Sequence, residues 1–268
     1  ISTEGKITSL GRGGSDTTAV AIAASVGAER CDIYTDVDGV YTTDPNLEST
    51  AKKIDKVAYE EMLEMSSTGA KVLQTRSVEL AMKNNLTLQV LSSLTNNEGT
   101  YIVNENNLVE KEIVSGVSYS KNESKITISG IPDKPGISAK IFGLMASNNI
   151  NVDMIVQNIS QDNHATDMTF TLPIADLDRA VATLEGNRDV LQYRELRSDK
   201  DVTKLSVIGV GMRSHAGVAQ RMFTALADKG INIQVISTSE IKVSVLIAEE
   251  YTELAVRALH TAYGLDSD

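Results

Sequence analysis

Gly136-Ile-Ser-Ala-Lys-Ile-Phe-Gly-Leu-Met145 and Gly217-Val-Ala-Gln-Arg-Met-Phe-Thr-Ala-Leu226 are one pattern written twice, 81 residues apart. The correspondence runs on through Ile150, Asn151 and Ile155 against Ile231, Asn232 and Ile236. Eight like-for-like positions in phase identify an internal repeat. Each copy reads physically as one unit. Ile126 and Ile128 alternate with Thr127 and Ser129 as a strand, a glycine loop follows, and apolar residues at i, i+4, i+5 and i+8 then mark a helix. Met168, Phe170 and Leu172 alternate with Thr169 and Thr171, a helix is expected from Asp176 to about Glu185, and a strand near Gln192 to Leu196. The first copy is therefore βαββαβ. The second has Ile241, Val243, Val245 and Ile247 on one strand face and a helix from about Thr252 to Tyr263, which leaves no room for a fourth strand. The spare strand-like run Ile113 to Tyr119 is expected to cross over and complete it, so the two modules interleave.

Upstream the character changes. Gly11-Arg-Gly-Gly-Ser-Asp16 is a glycine loop feeding the Ala-rich helix Thr17 to Val26. A β-rich run, Cys31 to Thr35, ends in the turn-dense Asp36-Val-Asp-Gly-Val-Tyr-Thr-Thr-Asp-Pro45. A helical pattern over Gly69 to Asn84 precedes a strand at Thr87 to Val90, and this alternation predicts an α/β domain. The polar, Asn-rich stretch Thr95 to Glu112 is the expected junction at its C-terminal end.

Composition narrows the function. The 268 residues carry 25 Lys+Arg against 36 Asp+Glu, a formal charge of −11 with no basic run, which argues against nucleic acid or an anionic lipid surface as partner. Trp is absent and aromatics make up 4%, too few for stacking platforms. The single Cys31 can form no internal disulfide, and no stretch approaches a membrane span or signal peptide. A cytoplasmic protein is expected. His164, His215 and His260 lack ligand spacing, so no metal site is assigned to the chain's own side chains. Glu60-Glu61 and Glu249-Glu250 read as solvated faces.

Two segments can carry chemistry. In the loop at residues 11–16 glycines free several N–H groups toward an anion at a helix N-terminus, and Arg12 adds a fork for a carboxylate or phosphate. The spacing fits neither the Walker form nor the dinucleotide fingerprint. A tight turn capped by Ser15 or Asp16 explains the same residues. The second segment, Thr35 to Tyr41 with Asp44-Pro45, sits at a strand's carboxyl end, where α/β sheets bind ligands; an ordinary turn is the alternative. Lys71, placed one turn into a helix after Gly69, is either a phosphate partner or a solvated side chain.

Together, Leu10-Gly-Arg-Gly-Gly-Ser-Asp-Thr-Thr-Ala19, Tyr34-Thr-Asp-Val-Asp-Gly-Val-Tyr-Thr-Thr-Asp-Pro45, Glu61-Met-Leu-Glu-Met65 and Gly69-Ala-Lys-Val-Leu73 resemble the C-terminal part of an aspartate kinase catalytic domain. Asp133-Lys-Pro-Gly136, Asn151-Val-Asp-Met-Ile-Val-Gln-Asn158, Gly211-Met-Arg-Ser-His215 and Ile236-Ser-Thr-Ser-Glu240 resemble that family's paired ACT domains. The resemblance implies an amino-acid-kinase α/β sandwich segment over residues 1–110 and two ferredoxin-like ACT domains over 111–198 and 199–268. It implies phosphoryl transfer from ATP with Mg2+ to the β-carboxylate of aspartate, giving 4-phospho-L-aspartate for lysine, threonine and methionine synthesis. Arg12, Ser15 and Asp16 would bind aspartate, and Thr35, Asp36, Tyr41 and Lys71 would bind ATP. Effector positions would be Asp133, Pro135, Gly136, Ser138, Asn151, Gln157 and Asn158 on the first module and His215, Val218, Asn232 and Ser239 on the second, taking lysine, threonine or both. A homodimer through the ACT domains, or a heteromer with another kinase subunit, is implied.

Three departures qualify this. The family's Lys-Phe-Gly-Gly motif is absent, so the chain alone is expected to be inactive. Asn46 and Ala216 stand where many members have Arg and Pro. A noncatalytic amino-acid-sensing subunit is the alternative, and a kinase acting on glutamate or a nucleotide the weaker rival.

Overall fold

A computed structural model describes residues 3–6, 11, 13–69, 72–108, 113–159 and 165–267. The first part contains α1 (Gly14–Ser25), β1 (Arg30–Thr35), β2 (Lys56–Ala58), α2 (Tyr59–Ser67), α3 (Thr75–Lys83), β3 (Thr87–Ser92) and β4 (Thr100–Val103). Its strands form one sheet in the order β1-β3-β4-β2, with β1 and β3 parallel, β3 and β4 antiparallel, and β4 and β2 parallel. Interior β3 is buried along Leu88, Gln89 and Val90, as a strand covered on both faces must be. Helices α1, α2 and α3 close the core with Val20, Met62, Val78 and Ala81.

The second part contains β5 (Gly116–Pro132), α4 (Ile137–Ser147), β6 (Asp153–Ile159), β7 (Ala165–Leu172), α5 (Leu177–Gly186), α6 (Arg188–Leu191), β8 (Glu195–Ile208), α7 (Val218–Asp228), β9 (Val235–Thr238), β10 (Lys242–Ala248) and α8 (Thr252–Ala262). Here a six-stranded sheet runs β6-β7-β5-β8-β10-β9. The repeat is exact in the helices: α4 and α7 have 11 residues each, start 81 residues apart, and follow glycines with φ of 89° and 95°.

β5 and β8 each run through both modules. Gly116–Ser120 of β5 pairs with the Ile208–Lys204 end of β8, register shifts follow near Glu123, and Lys125–Ser129 then pairs with Asp199–Glu195. One half of each strand packs on the core built from Ile126, Ile141, Met145, Phe170 and Leu184. The other half packs on the core of Leu205, Val207, Met222, Leu226, Val245 and Leu259, to which Val117 contributes. The expected boundary at 198/199 therefore falls inside a continuous strand, and that at 110/111 lies outside the described residues. Met154, Val202, Val235 and Leu246 form a small core joining the modules. Beside it the Lys204 ammonium lies 3.0 Å from Glu123 and 2.9 Å from Asp153. Burial alone pushes that ammonium down, but the two carboxylates outweigh it and hold it above its usual value.

Two expectations are corrected, and one strand was not expected: Thr100–Val103, inside the polar stretch Thr95 to Glu112, forms β4, since four residues are too few to show a period. The helix expected directly after Gly69 begins at Thr75, with a turn between. Glu61 is not on a solvated face but is 1% exposed. Among the described residues no helix is long and apolar enough to cross a membrane.

Candidate functional site

Each of α1 and α3 runs into the strand that follows it, and those strands, β1 and β3, are parallel. Both helix N-termini therefore lie at the strands' carboxyl end, with the segment from Thr35 onward. Gly13, N-cap of α1 at φ 69°, has no room for a side chain: a Cβ there would stand 1.8 Å from Gln74 Cγ. Gln74 is the N-cap of α3, so the glycine loop and the segment following Gly69 meet. Ser93, just past β3, ties down the end of β1 by donating its N–H and its hydroxyl to the Thr35 carbonyl at 2.8 and 2.9 Å.

Exposed Ser15 donates its hydroxyl to Asp16 at 3.2 Å, and neither caps α1. Thr35 donates to Asp36 at 3.1 Å, and the Tyr41 hydroxyl donates to Asp38 at 2.9 Å. Burial, then the bond to Asp38, push that phenol up. These side chains gather at one end of the sheet. Arg12 and Lys71 lie outside the described residues. Among the described residues no cluster of three or more His, Cys, Asp or Glu could hold a metal ion. The oxygens of Thr35, Asp36 and Asp38 are nonetheless hard donors that suit a hydrated Mg2+ arriving with phosphates.

The expected effector positions fall into two groups. Ser138, in the first turn of α4, donates to Gln157 of β6 at 3.3 Å, beside Gly136; Asp133, Pro135, Asn151 and Asn158 are exposed. Pro135 also lines a cavity of about 280 Å³ with Lys134, Lys140 and Gln192. In the second module His215 Nδ1 lies 2.9 Å from the Gly211 carbonyl, while Asn232 and Ser239 are exposed. Val218 differs from expectation: its side chain is buried in the second core and its carbonyl accepts from the Tyr263 hydroxyl at 2.7 Å. Among the described residues no hydrogen bond joins the two groups.

The residues that sequence reasoning missed are those joining the first part to the second module. Glu61 Oε1 accepts from the Ser115 hydroxyl at 2.5 Å and the Val210 N–H at 2.8 Å, and its Oε2 accepts from the Ala58 N–H at 3.0 Å. Lys242 reaches Glu64 at 2.6 Å. Gly69, at φ 121°, passes so close to β5 that a Cβ would lie 2.0 Å from the Tyr119 carbonyl oxygen, and Thr68 bonds Ser118 next to it. The signal for Glu61 was its spacing, since it precedes buried Met65 by one helical turn.

Fold and site together define a class: an amino-acid-kinase unit, with a glycine loop at the carboxyl end of its sheet, fused to an interleaved pair of ACT modules. The Amino acid kinase family model matches residues 1–92, and the ACT domain model matches 126–187 and 205–263. An aspartate kinase of Pseudomonas fluorescens is 55% identical over all 268 residues. The chain spans 65% of that relative's length. Escherichia coli aspartokinase III, solved with aspartate and ADP, is 29% identical at a TM-score of 0.81, with 97% of this chain and 58% of that one covered. A structure of aspartokinase alpha and beta subunits is 48% identical at a TM-score of 0.54, with 56% of this chain and 99% of that chain covered. The chain belongs to the aspartate kinase family.

Proposed function

We propose that this chain forms the C-terminal part of the catalytic domain and the regulatory pair of an enzyme that phosphorylates the β-carboxylate of aspartate from ATP and Mg2+. The observation carrying this is the meeting of the glycine loop, the end of β1 and the start of α3 at the carboxyl end of the parallel strands β1 and β3. That the E. coli relative was solved with aspartate and ADP supports the substrate pair. The chemistry suits the residues. An ionised carboxylate is already a nucleophile, so the reaction needs alignment and charge neutralisation rather than a general base. Arg12 would fork the α-carboxylate beside Ser15 and Asp16, with Thr35, Asp36, Tyr41 and Lys71 along the nucleotide. Mg2+ would neutralise phosphate charge near the Asp36 carboxylate.

The regulatory reading assigns residues 111–198 and 199–268 to the two modules, with the strand at 113–119 completing the second, and residues 1–110 catalytic. Lysine or threonine would bind at the loops before α4 and α7, between copies of the chain. Calorimetric titration of the 268-residue chain with lysine, threonine and ATP-Mg in turn tests it: saturable binding of one amino acid is expected, and binding of neither contradicts the effector assignment. In the enzyme with its whole catalytic domain, Arg12→Ala is expected to raise the KM for aspartate far more than that for ATP. A second reading, a noncatalytic sensing subunit, is favoured by the match of 56% of this chain to nearly the whole of one aspartokinase subunit chain. Turnover by the whole enzyme with an intact chain, lost on Arg12→Ala, would exclude it.

A further inference from the structure

Thr42 is held from both halves of the molecule. Its N–H donates to the Lys52 carbonyl at 2.8 Å and its carbonyl accepts from Val117 N–H at 2.7 Å. Its hydroxyl accepts from the Lys52 N–H at 3.0 Å and lies 2.9 Å from His260 Nε2. Val117 belongs to β5 and His260 to α8, both elements of the second ACT module. The same two elements grip the residues that follow: the Tyr119 hydroxyl donates to Asp44 at 3.0 Å, and Arg257 Nε donates to the Leu47 carbonyl at 2.8 Å. Burial and the neighbouring Asp44 push the Tyr119 phenol up to about 12, so it remains a donor throughout the physiological range.

His260 is fully buried, yet its side-chain hydrogen bond leaves its own module and reaches a residue 218 positions away. Its Nδ1 is buried without a partner. A charged ring would place an N–H there with no acceptor, whereas a neutral ring with its proton on Nε2 leaves only a lone pair unmet. Burial accordingly pushes the imidazole below its usual value; among the charges facing it, Glu48 of the loop and Asp266 past α8 pull it up, and Lys52 pushes it down. The neutral ring is the one that docks.

We propose that His260 is a positioning residue for the nucleotide: by fixing Thr42 it fixes the adjacent Tyr41 ring, so this buried contact is one of those by which the second ACT module sets the affinity for ATP. This deepens the proposed function and rests on its placing of Tyr41 beside the nucleotide.

The test has two arms. In the 268-residue chain, amide exchange over residues 36–48 is compared among wild type, His260→Leu, His260→Gln and Thr42→Val. Losing one hydrogen bond is expected to lower protection of the loop about five- to tenfold in His260→Leu and Thr42→Val. His260→Gln, whose amide nitrogen can stand in for Nε2, restores it. In the enzyme with its whole catalytic domain, His260→Leu is expected to raise the KM for ATP by about the same factor while the KM for aspartate and kcat stay within about twofold. Unchanged loop protection in His260→Leu overturns the proposal, as does a rise in both KM values together, which marks general damage. Should His260→Leu not fold, Thr42→Val carries the same expectations. If the wild-type enzyme does not phosphorylate aspartate, the functional reading fails, and the exchange arm alone still decides whether His260 orders the loop.

Discussion

Glu61 shows how much one side chain can join. It satisfies two backbone N–H groups and a hydroxyl from three segments, and each such group left buried without a partner costs about 1–3 kcal/mol. Glu61→Ala is expected to lower unfolding stability by about 3 kcal/mol or more in urea titration. Glu61→Gln keeps two acceptor contacts but turns an N–H toward that of Ala58, so it should fall between; a wild-type midpoint for the alanine variant would refute the role. Lys204 makes the parallel case between modules. Lys204→Met strands Glu123, only 8% exposed, and is expected to destabilise by about 3–5 kcal/mol, whereas replacing Lys204, Glu123 and Asp153 together with apolar residues should be nearly neutral. The spacing to Met65 hinted that Glu61 is buried, but the partners of neither side chain were legible in the sequence. A pair of adjacent glutamates looks like a solvated surface until the partner that buries one of them is known, and Ser115 and Val210 lie 54 and 149 residues away.

Elements divide by how locally they are determined. α4 and α7 were readable because their apolar spacing is regular and repeated, and β7 because its alternation is clean. β2 and β4 were not, since strands of three and four residues carry no period and exist through their neighbours. The unbroken course of β5 was hidden by Lys121-Asn-Glu123, and that of β8 by Asp199-Lys-Asp201, polar runs that read as loops but pair around a bulge. The turn after α2 is similarly set from outside. Gly69→Ala adds a left-handed strain and a collision with the Tyr119 carbonyl, and is expected to destabilise by about 3 kcal/mol or more in urea titration. For α8, the depressed His260 imidazole fixes a sign. An unfolded histidine binds a proton near pH 6.5, the docked one only at lower pH, so the docking contribution is complete above about 6.5 and declines as pH falls from there toward the lowered folded value. Thermal melts of wild type against His260→Gln between pH 7.5 and 5 should converge on acidification; a constant gap would show that the ring does not titrate there.

At the scale of the molecule the two repeats are unequal. Residues 121–199 contain β6, β7, the second half of β5 and the first turn of pairing from β8, a sheet with its own core. Residues 201–267 lack the strand that covers the far side of β8, because Gly116–Ser120 supplies it, together with Val114 and Val117 for the core. A fragment of residues 121–199 is therefore expected to fold in isolation, while 201–267 folds only when a peptide of residues 113–122 is added; helical circular dichroism from 201–267 alone would contradict this. The crossover strand was foreseeable by counting strands. Its lying between the loop of Thr42 and the turn of Gly69 was not, because nothing near Val117 in the chain marks those distant partners.

The shared strands also constrain the gene. A deletion in phase with the repeat would excise residues 137–217. What remained of the second part would be β5, α7, β9, β10 and α8, without β8, the strand that both modules share. The shortened product would have an unpaired edge along the full length of β5, a template for aggregation. Once the copies exchanged strands, a lineage could no longer return to a single copy by one in-phase deletion.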